Sequence, residues 1–139
     1  MKVFSWNCRG LGMPRTVRAL KSAIRVFSPQ IVCLMETKKR VVGWDLLKLR
    51  LGFRNCLAVG SRGRVGGLAM LWDDSVDVEV VNYSQNHIDA IVRDQQEFRI
   101  TLFYGEPTLC NRVDSWSLLR SLRARTNMPW VVLGDFNLL

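Results

Sequence analysis

The chain has 139 residues, 48% of them hydrophobic, and carries 20 Lys and Arg against 12 Asp and Glu for a net charge of +8. That length and apolar content fit one ordinary globular domain and exclude a disordered chain. No run reaches the roughly 18 apolar residues of a membrane helix, the N-terminus lacks a signal-peptide core, and the four cysteines form no Cys-x-x-Cys pair, so the expectation is an intracellular, reducing setting without membrane contact, disulfide framework or zinc site.

In chain order, residues 2–7 read as a strand in which Val3-Phe4-Ser5-Trp6 runs into Asn7. The spacing of Val17, Leu20, Ile24 and Phe27 predicts a helix over 14–27, with Pro14 in its first turn and Ser28-Pro29 ending it. A second buried strand over 30–35 delivers Glu36-Thr37-Lys38, and a short helix over 42–51 stops at Gly52. Short strands then follow over 57–59, 67–72, 76–83, 88–93 and 98–104, separated by Gly, Asp, Asn and Ser clusters. Val76-Asp77-Val78-Glu79-Val80 alternates with period two, which argues one wet face. Asp94-Gln95-Gln96-Glu97 reads as a hairpin turn, and His87 as an exposed turn residue. A helix over 113–125, with Asn111 as a cap and Trp116, Leu119 and Leu122 on one stripe, precedes a last strand. That strand, Trp130-Val131-Val132-Leu133, runs into Gly134-Asp135-Phe136-Asn137.

The order β-α-β-α, β meander, α-β predicts an α/β (α+β) fold with helices outside and a mainly antiparallel sheet inside. Such a sheet packs on a second sheet, and the expectation is that 139 residues are too few to supply both layers.

Charge is unevenly spread. Residues 1–60 hold 12 Lys and Arg against Glu36 and Asp45, whereas residues 61–139 hold 8 against 10 acids. The basic half suits a polyanion such as nucleic acid, and equally describes a solvated helix face with a basic loop. Asn7, Glu36, Asp135 and Asn137 all fall at strand ends. A single such Asp is most often a turn or cap residue; recurrence at three tips points to a site. Carboxylate and amide oxygens suit a hard cation such as Mg²⁺, which needs one or two protein carboxylates and fills its shell with water and phosphate. Glu36 is the natural ligand, Asp135 a proton-transfer group, and Asn137 a donor to charge on phosphorus.

Trp6-Asn7-Cys8-Arg9-Gly10, Leu34-Met35-Glu36-Thr37-Lys38, Gly66-Gly67-Leu68-Ala69-Met70-Leu71-Trp72, Tyr104-Gly105-Glu106-Pro107 and Gly134-Asp135-Phe136-Asn137 together resemble the ordered motifs of the endonuclease/exonuclease/phosphatase superfamily. They most resemble the endonuclease domain of plant LINE-type (non-LTR) retroelements. The resemblance implies that Glu36 and Asn7 hold Mg²⁺, with Mn²⁺ as an alternative, and that Tyr104, Asp135 and Asn137 are catalytic. It also implies phosphate contacts from Arg112 and Lys38. Tyr104 as a sheet aromatic and Arg112 as a solvated helix-start residue remain the alternatives from the residues alone.

The implied protein is a Mg²⁺-dependent DNA endonuclease, with a nuclear setting by resemblance. The family fold is a four-layer α/β/β/α sandwich, of which residues 1–139 would be a partial domain ending after the Gly-Asp-Phe-Asn motif. The family's later acid and its Ser-Asp-His block find no counterpart here, so the chain is expected to be inactive or nearly so alone. An uncovered inner sheet face of several hundred Å², at about 25 cal/mol per Å², would forfeit roughly 10 kcal/mol and favour self-association. The alternatives are a non-catalytic nucleic-acid-binding remnant and a small-molecule phosphoesterase.

Overall fold

The structure is a computed structural model that describes residues 1–105 and 111–137. Glu106 and Pro107 of the fourth motif, and Cys110, lie outside the described residues. The elements are β1 (Val3–Asn7), α1 (Pro14–Phe27), β2 (Ile31–Met35), α2 (Trp44–Arg50), β3 (Asn55–Val59), β4 (Leu68–Trp72), β5 (Asp77–Tyr83), β6 (His87–Arg93), β7 (Glu97–Tyr104), α3 (Arg112–Arg123) and β8 (Trp130–Asp135). The strands form two four-stranded sheets, ordered β1-β2-β4-β3 and β5-β6-β7-β8. In each sheet one pair is parallel, β1 with β2 and β7 with β8, and the remaining pairs are antiparallel. A helix connects each parallel pair, as a parallel crossover requires.

The expectation of a single sheet layer is overturned. The two sheets pack face to face, with Ile31, Cys33, Met35, Leu68 and Met70 of the first against Ile88, Ala90, Val92, Ile100 and Leu102 of the second. Strands of only five to eight residues let eight of them fit where a single layer was expected. The inner faces therefore cover one another, and the bare face from which self-association was expected is not present among the described residues.

The outer layers follow from amphipathic helices. Pro14 opens α1, where a missing N–H costs nothing, and Ser28 in the left-handed region closes it through its N–H to the Ile24 carbonyl at 2.9 Å. Val17 and Leu20 of α1, with Trp44 and Leu47 of α2, cover the first sheet's outer residues Val32, Leu34, Ala69 and Leu71. Strand β2 is consequently buried at every position, the pattern of a strand covered on both faces. By contrast β5 alternates exposed and half-buried, as its period-two sequence predicts. Asn111 is the N-cap of α3, yet its side chain makes no capping hydrogen bond.

A polar network on the second sheet's outer face ties that sheet to α3. Arg99, 2% exposed, meets Asp89, 1% exposed, through two hydrogen bonds, Nε at 2.7 Å and a terminal nitrogen at 2.8 Å. Arg99 also donates to the Leu122 carbonyl in α3 and lies over the Trp130 ring at 4.8 Å. Thr101 and Asn82 each donate to Asp89 at 2.8 Å, and the Trp130 indole donates to Thr101 at 2.8 Å.

His87 belongs to this network, which corrects its reading as an exposed turn residue. It is 4% exposed at the start of β6, held between Ser84 and Asn82. Asn82 donates through Nδ2 to Asp89, so its Oδ1 faces the imidazole and His87 must donate from Nε2. Nδ1 then accepts from the Ser84 hydroxyl at 2.6 Å. The surrounding Ser and Asn cluster gave a turn signal, but those residues serve the imidazole as partners.

Cys8 and Cys33 are buried and Cys56 half-buried, all as free thiols. Burial pushes them up to about 11, 12 and 12 respectively, so they remain protonated at neutral pH and act as small hydrophobes. Among the described residues no helix is long and apolar enough to cross a membrane.

Candidate functional site

Parallel pairing explains why distant polar residues meet. In a parallel pair both C-terminal tips leave the sheet at the same end. Asn7 pairs with Met35, so Asn7 and Glu36 emerge side by side from β1 and β2. Tyr104 pairs with Asp135 at the tips of β7 and β8. Strands β1 and β8 are in contact across the sandwich, which joins the two pairs of tips into one cluster.

At its centre, the Asn7 side-chain nitrogen donates to Glu36 and, at 3.1 Å, to Asp135. Its orientation is set independently: the Arg9 backbone N–H donates to Asn7 Oδ1 at 3.1 Å, which leaves Nδ2 for the carboxylates. One neutral amide therefore holds two acids from different sheets. The Asn137 backbone N–H donates to the second Asp135 oxygen at 2.9 Å, and its side-chain nitrogen to the Gly105 carbonyl at 2.6 Å. The Tyr104 hydroxyl interacts with both Asn137 and Glu36. Burial, with Glu36 alongside, raises Tyr104 above the ordinary tyrosine value against the opposing Asn137 hydrogen bond. The phenol therefore stays protonated at neutral pH.

Backbone strain concentrates here. Among the described residues, five non-glycine residues have positive φ, and four of them, Arg9 (49°), Glu36 (52°), Lys38 (54°) and Asn137 (52°), follow the strand tips. Such conformations cost of order 1–3 kcal/mol each and persist where surrounding contacts hold them. The holding contacts are visible: Gly10 N–H to the Glu36 carbonyl at 2.7 Å, Leu11 N–H to Thr37 at 3.0 Å, and Thr37 N–H to Gly67 at 3.1 Å.

Gly134 supplies the close approach on the other side. Its φ is +137°, and a Cβ there would collide with the Phe103 carbonyl. Gly134→Ala is expected to displace Asp135 from Asn7, lowering stability by about 2 kcal/mol or more and weakening any ligand held by the tips. Urea denaturation of both proteins measures this, and an unchanged midpoint would count against so tight an approach.

Each predicted site residue can now be located. Asn7, Glu36, Tyr104, Asp135 and Asn137 form one cluster. Lys38 is exposed two residues beyond Glu36, with its N–H on the Gly66 carbonyl at 2.8 Å. Arg112 begins α3 and lines a small cleft with Phe103, Ser115 and Phe136, on the outer side of the second sheet.

Several supporting residues were not singled out from sequence. Phe136 packs tilted against Phe103 at 5.3 Å between centroids and anchors the motif, leaving Asp135 and Asn137 to face the cluster. Its signal was available, as one apolar residue alternating with two polar ones. Cys8 donates from its thiol to the Met35 carbonyl at 3.2 Å, and Thr37 is fully buried below Glu36. Neither carries a sequence signal, because both roles depend on the neighbouring strand.

The donor chemistry fits a hard cation. Two carboxylates, Glu36 and Asp135, meet at one amide, and Mg²⁺ asks for one or two protein carboxylates. Among the described residues no group of three or more His, Cys, Asp and Glu is placed to hold a metal, so a zinc-type cage is not offered.

The fold is shared with solved structures. A Neisseria 3′ phosphatase, NExo, bound to a product DNA hairpin, aligns with TM-score 0.73 at 19% identity over 99% of this chain and 58% of that one. An AP endonuclease from Archaeoglobus fulgidus aligns with TM-score 0.73 at 18% identity, over 99% of this chain and 57% of that one. The endonuclease domain of TRAS1, a telomere-specific non-LTR retrotransposon, aligns with TM-score 0.66 at 17% identity, over 98% and 58%. The chain thus spans a little under three-fifths of the length of these three structures. No curated protein matches it by sequence. Residues 4–138 match the Endonuclease/Exonuclease/phosphatase family, a span that takes in all five polar residues of the cluster, and the chain belongs to that family.

Proposed function

We propose that the strand-tip cluster is the metal- and phosphate-binding part of a Mg²⁺-dependent phosphodiesterase that acts on DNA, of the plant LINE-type retroelement kind. The observation that carries this reading is the Asn7 amide held between Glu36 and Asp135 at the junction of the two sheets. Glu36 would hold Mg²⁺ or Mn²⁺ with Asn7 beside it to orient the ion or the substrate, and the ion, when bound, would supply positive charge against the phosphate oxygens. Tyr104 donates its hydroxyl to a phosphate oxygen. Asp135 takes or returns a proton at the attacking water or the leaving oxygen, with Asn137 donating to charge that grows on phosphorus. Lys38 and Arg112 are the further phosphate contacts in this reading.

DNA as substrate draws support from the DNA hairpin bound to NExo, the AP endonuclease and the retrotransposon endonuclease domain. The basic first half of the chain supports it too. A second reading, nucleic-acid binding with little or no turnover, is favoured by His87. The chain has one histidine, and it is committed to Ser84 and Asn82, so no imidazole of this chain serves the cluster.

Incubation with Mg²⁺ and either supercoiled plasmid or a soluble phosphomonoester tests both readings. Slow plasmid nicking that stops with Glu36→Gln or chelator, and no monoester hydrolysis, is the expected result. Nicking indifferent to Glu36→Gln, or hydrolysis confined to the monoester, would overturn the DNA phosphodiesterase reading.

A further inference from the structure

A second charged feature lies outside the strand-tip cluster. Between α1, α2 and the loop after β2 runs an open groove of about 620 Å³ whose lining includes Arg18, Lys21, Lys39 and Arg50 and no acidic residue. Leu11 and Leu47 contribute to its apolar floor. Among the described residues none of the four cations takes part in an ion pair; Arg54, Arg93 and Arg99 supply the cationic partners of those found. Three of the four, Arg18, Lys21 and Arg50, are exposed.

We propose that this groove binds the sugar-phosphate backbone of a nucleic acid strand flanking the reacting phosphodiester. The inference rests on the reading of the strand tips as a DNA site and names a separate surface for the same partner. Four like charges facing one groove repel each other, and a row of phosphates removes that repulsion while releasing condensed counterions. The cations come from two helices and a loop, so they fit successive phosphates better than one small anion. No aromatic side chain lines the groove, which removes the base-stacking platform of a sequence-tolerant single-strand site and leaves contacts to the backbone.

The groove also begins at the strand tips. Leu11, in its lining, donates its N–H to Thr37, the residue after Glu36, and Lys39 lies three residues beyond Glu36. A strand whose phosphate sits at Glu36 would therefore meet the groove as it leaves.

Fluorescence anisotropy of labelled DNA, as duplex and as single strand, over a salt series tests this with the full chain. The triple variant Arg18→Gln/Lys21→Gln/Arg50→Gln alters exposed side chains, and an unchanged melting temperature verifies its fold. Its affinity at low salt is expected to fall about 10-fold or more. The slope of log K against log salt should shrink by about 2 to 3, since each lost phosphate contact accounts for about 0.9 with duplex and about 0.7 with single strand; a change confined to one form identifies the form that uses the groove. A control triple that removes the same charge elsewhere, Arg54→Gln/Arg120→Gln/Arg123→Gln, should leave the slope near wild type. A groove variant that binds like wild type, or a control that loses as much, would overturn the proposal. Glu36→Gln should keep the wild-type slope. If Glu36→Gln leaves nicking untouched while the groove variant still loses binding, the catalytic reading fails alone.

Discussion

Replacing Arg99 with methionine is expected to destabilise the protein by about 3 to 5 kcal/mol, a large part of the roughly 5–15 kcal/mol that holds a domain together. The change strands the Asp89 carboxylate, which is 1% exposed and loses two of its four donors. It also leaves the Leu122 carbonyl without its Arg99 donor and takes the cation from the Trp130 face. The double variant Arg99→Met/Asp89→Leu should regain more than half of the loss, because no charge then remains buried. Urea denaturation of the two variants and the parent gives these differences. A single variant within about 1 kcal/mol of the parent would mean that water reaches Asp89.

The same network sets the response to acid. Burial alone would raise the Asp89 carboxyl, but hydrogen bonds from Arg99, Thr101 and Asn82 outweigh it and hold the group below its ordinary range. Its folded-state value is thus below the unfolded one, so its contribution is present above about pH 4 and is lost as pH falls further. His87 is pushed down chiefly by burial, with Arg125 and Arg99 adding to that and Asp89 opposing it. The folded protein favours the neutral imidazole, so this contribution is complete above about pH 6.5 and declines below it. Melting temperature should therefore begin to fall near pH 6.5, and His87→Gln should remove that upper part while leaving the lower.

Magnesium is expected to raise the melting temperature of the parent protein and to leave that of Glu36→Gln unchanged. A ligand at about 100 times its dissociation constant stabilises by about 2.7 kcal/mol, or roughly 5 to 10 °C for a chain of this size. Without metal, the Glu36→Gln protein should be at least as stable as the parent. Glu36 and Asp135 share one amide donor, so neutralising either removes a like-charge contact. Stability that rises in the variant while the magnesium response vanishes is the signature of a site that gives up stability for binding. Equal magnesium shifts in both proteins would remove Glu36 from the metal role.

Much of this was legible along the chain. The alternation in Val76 to Val80 predicted a strand with one wet face, and β5 has that burial pattern. Pro14 and Ser28-Pro29 marked the ends of α1. The polar residues after apolar runs identified Asn7, Glu36, Asp135 and Asn137 as tip residues, because strand ends are where polar groups escape burial. His87 misled because its Ser and Asn neighbours signal a turn equally well whether they cap a loop or hydrogen-bond a buried ring.

What the sequence determined by itself was therefore local: strand and helix periodicity, helix ends, the polar tips and the charge asymmetry, all of which depend on neighbours within about one turn or one strand. The tertiary structure decided that two short sheets cover each other instead of one sheet standing bare. It also decided that Asn7 bridges Glu36 and Asp135, and that Arg99 locks Asp89 beneath α3. Those outcomes depend on which strands pair and in which direction, a choice made by burial between residues as far apart as Asn7 and Asp135. No local pattern encodes that choice.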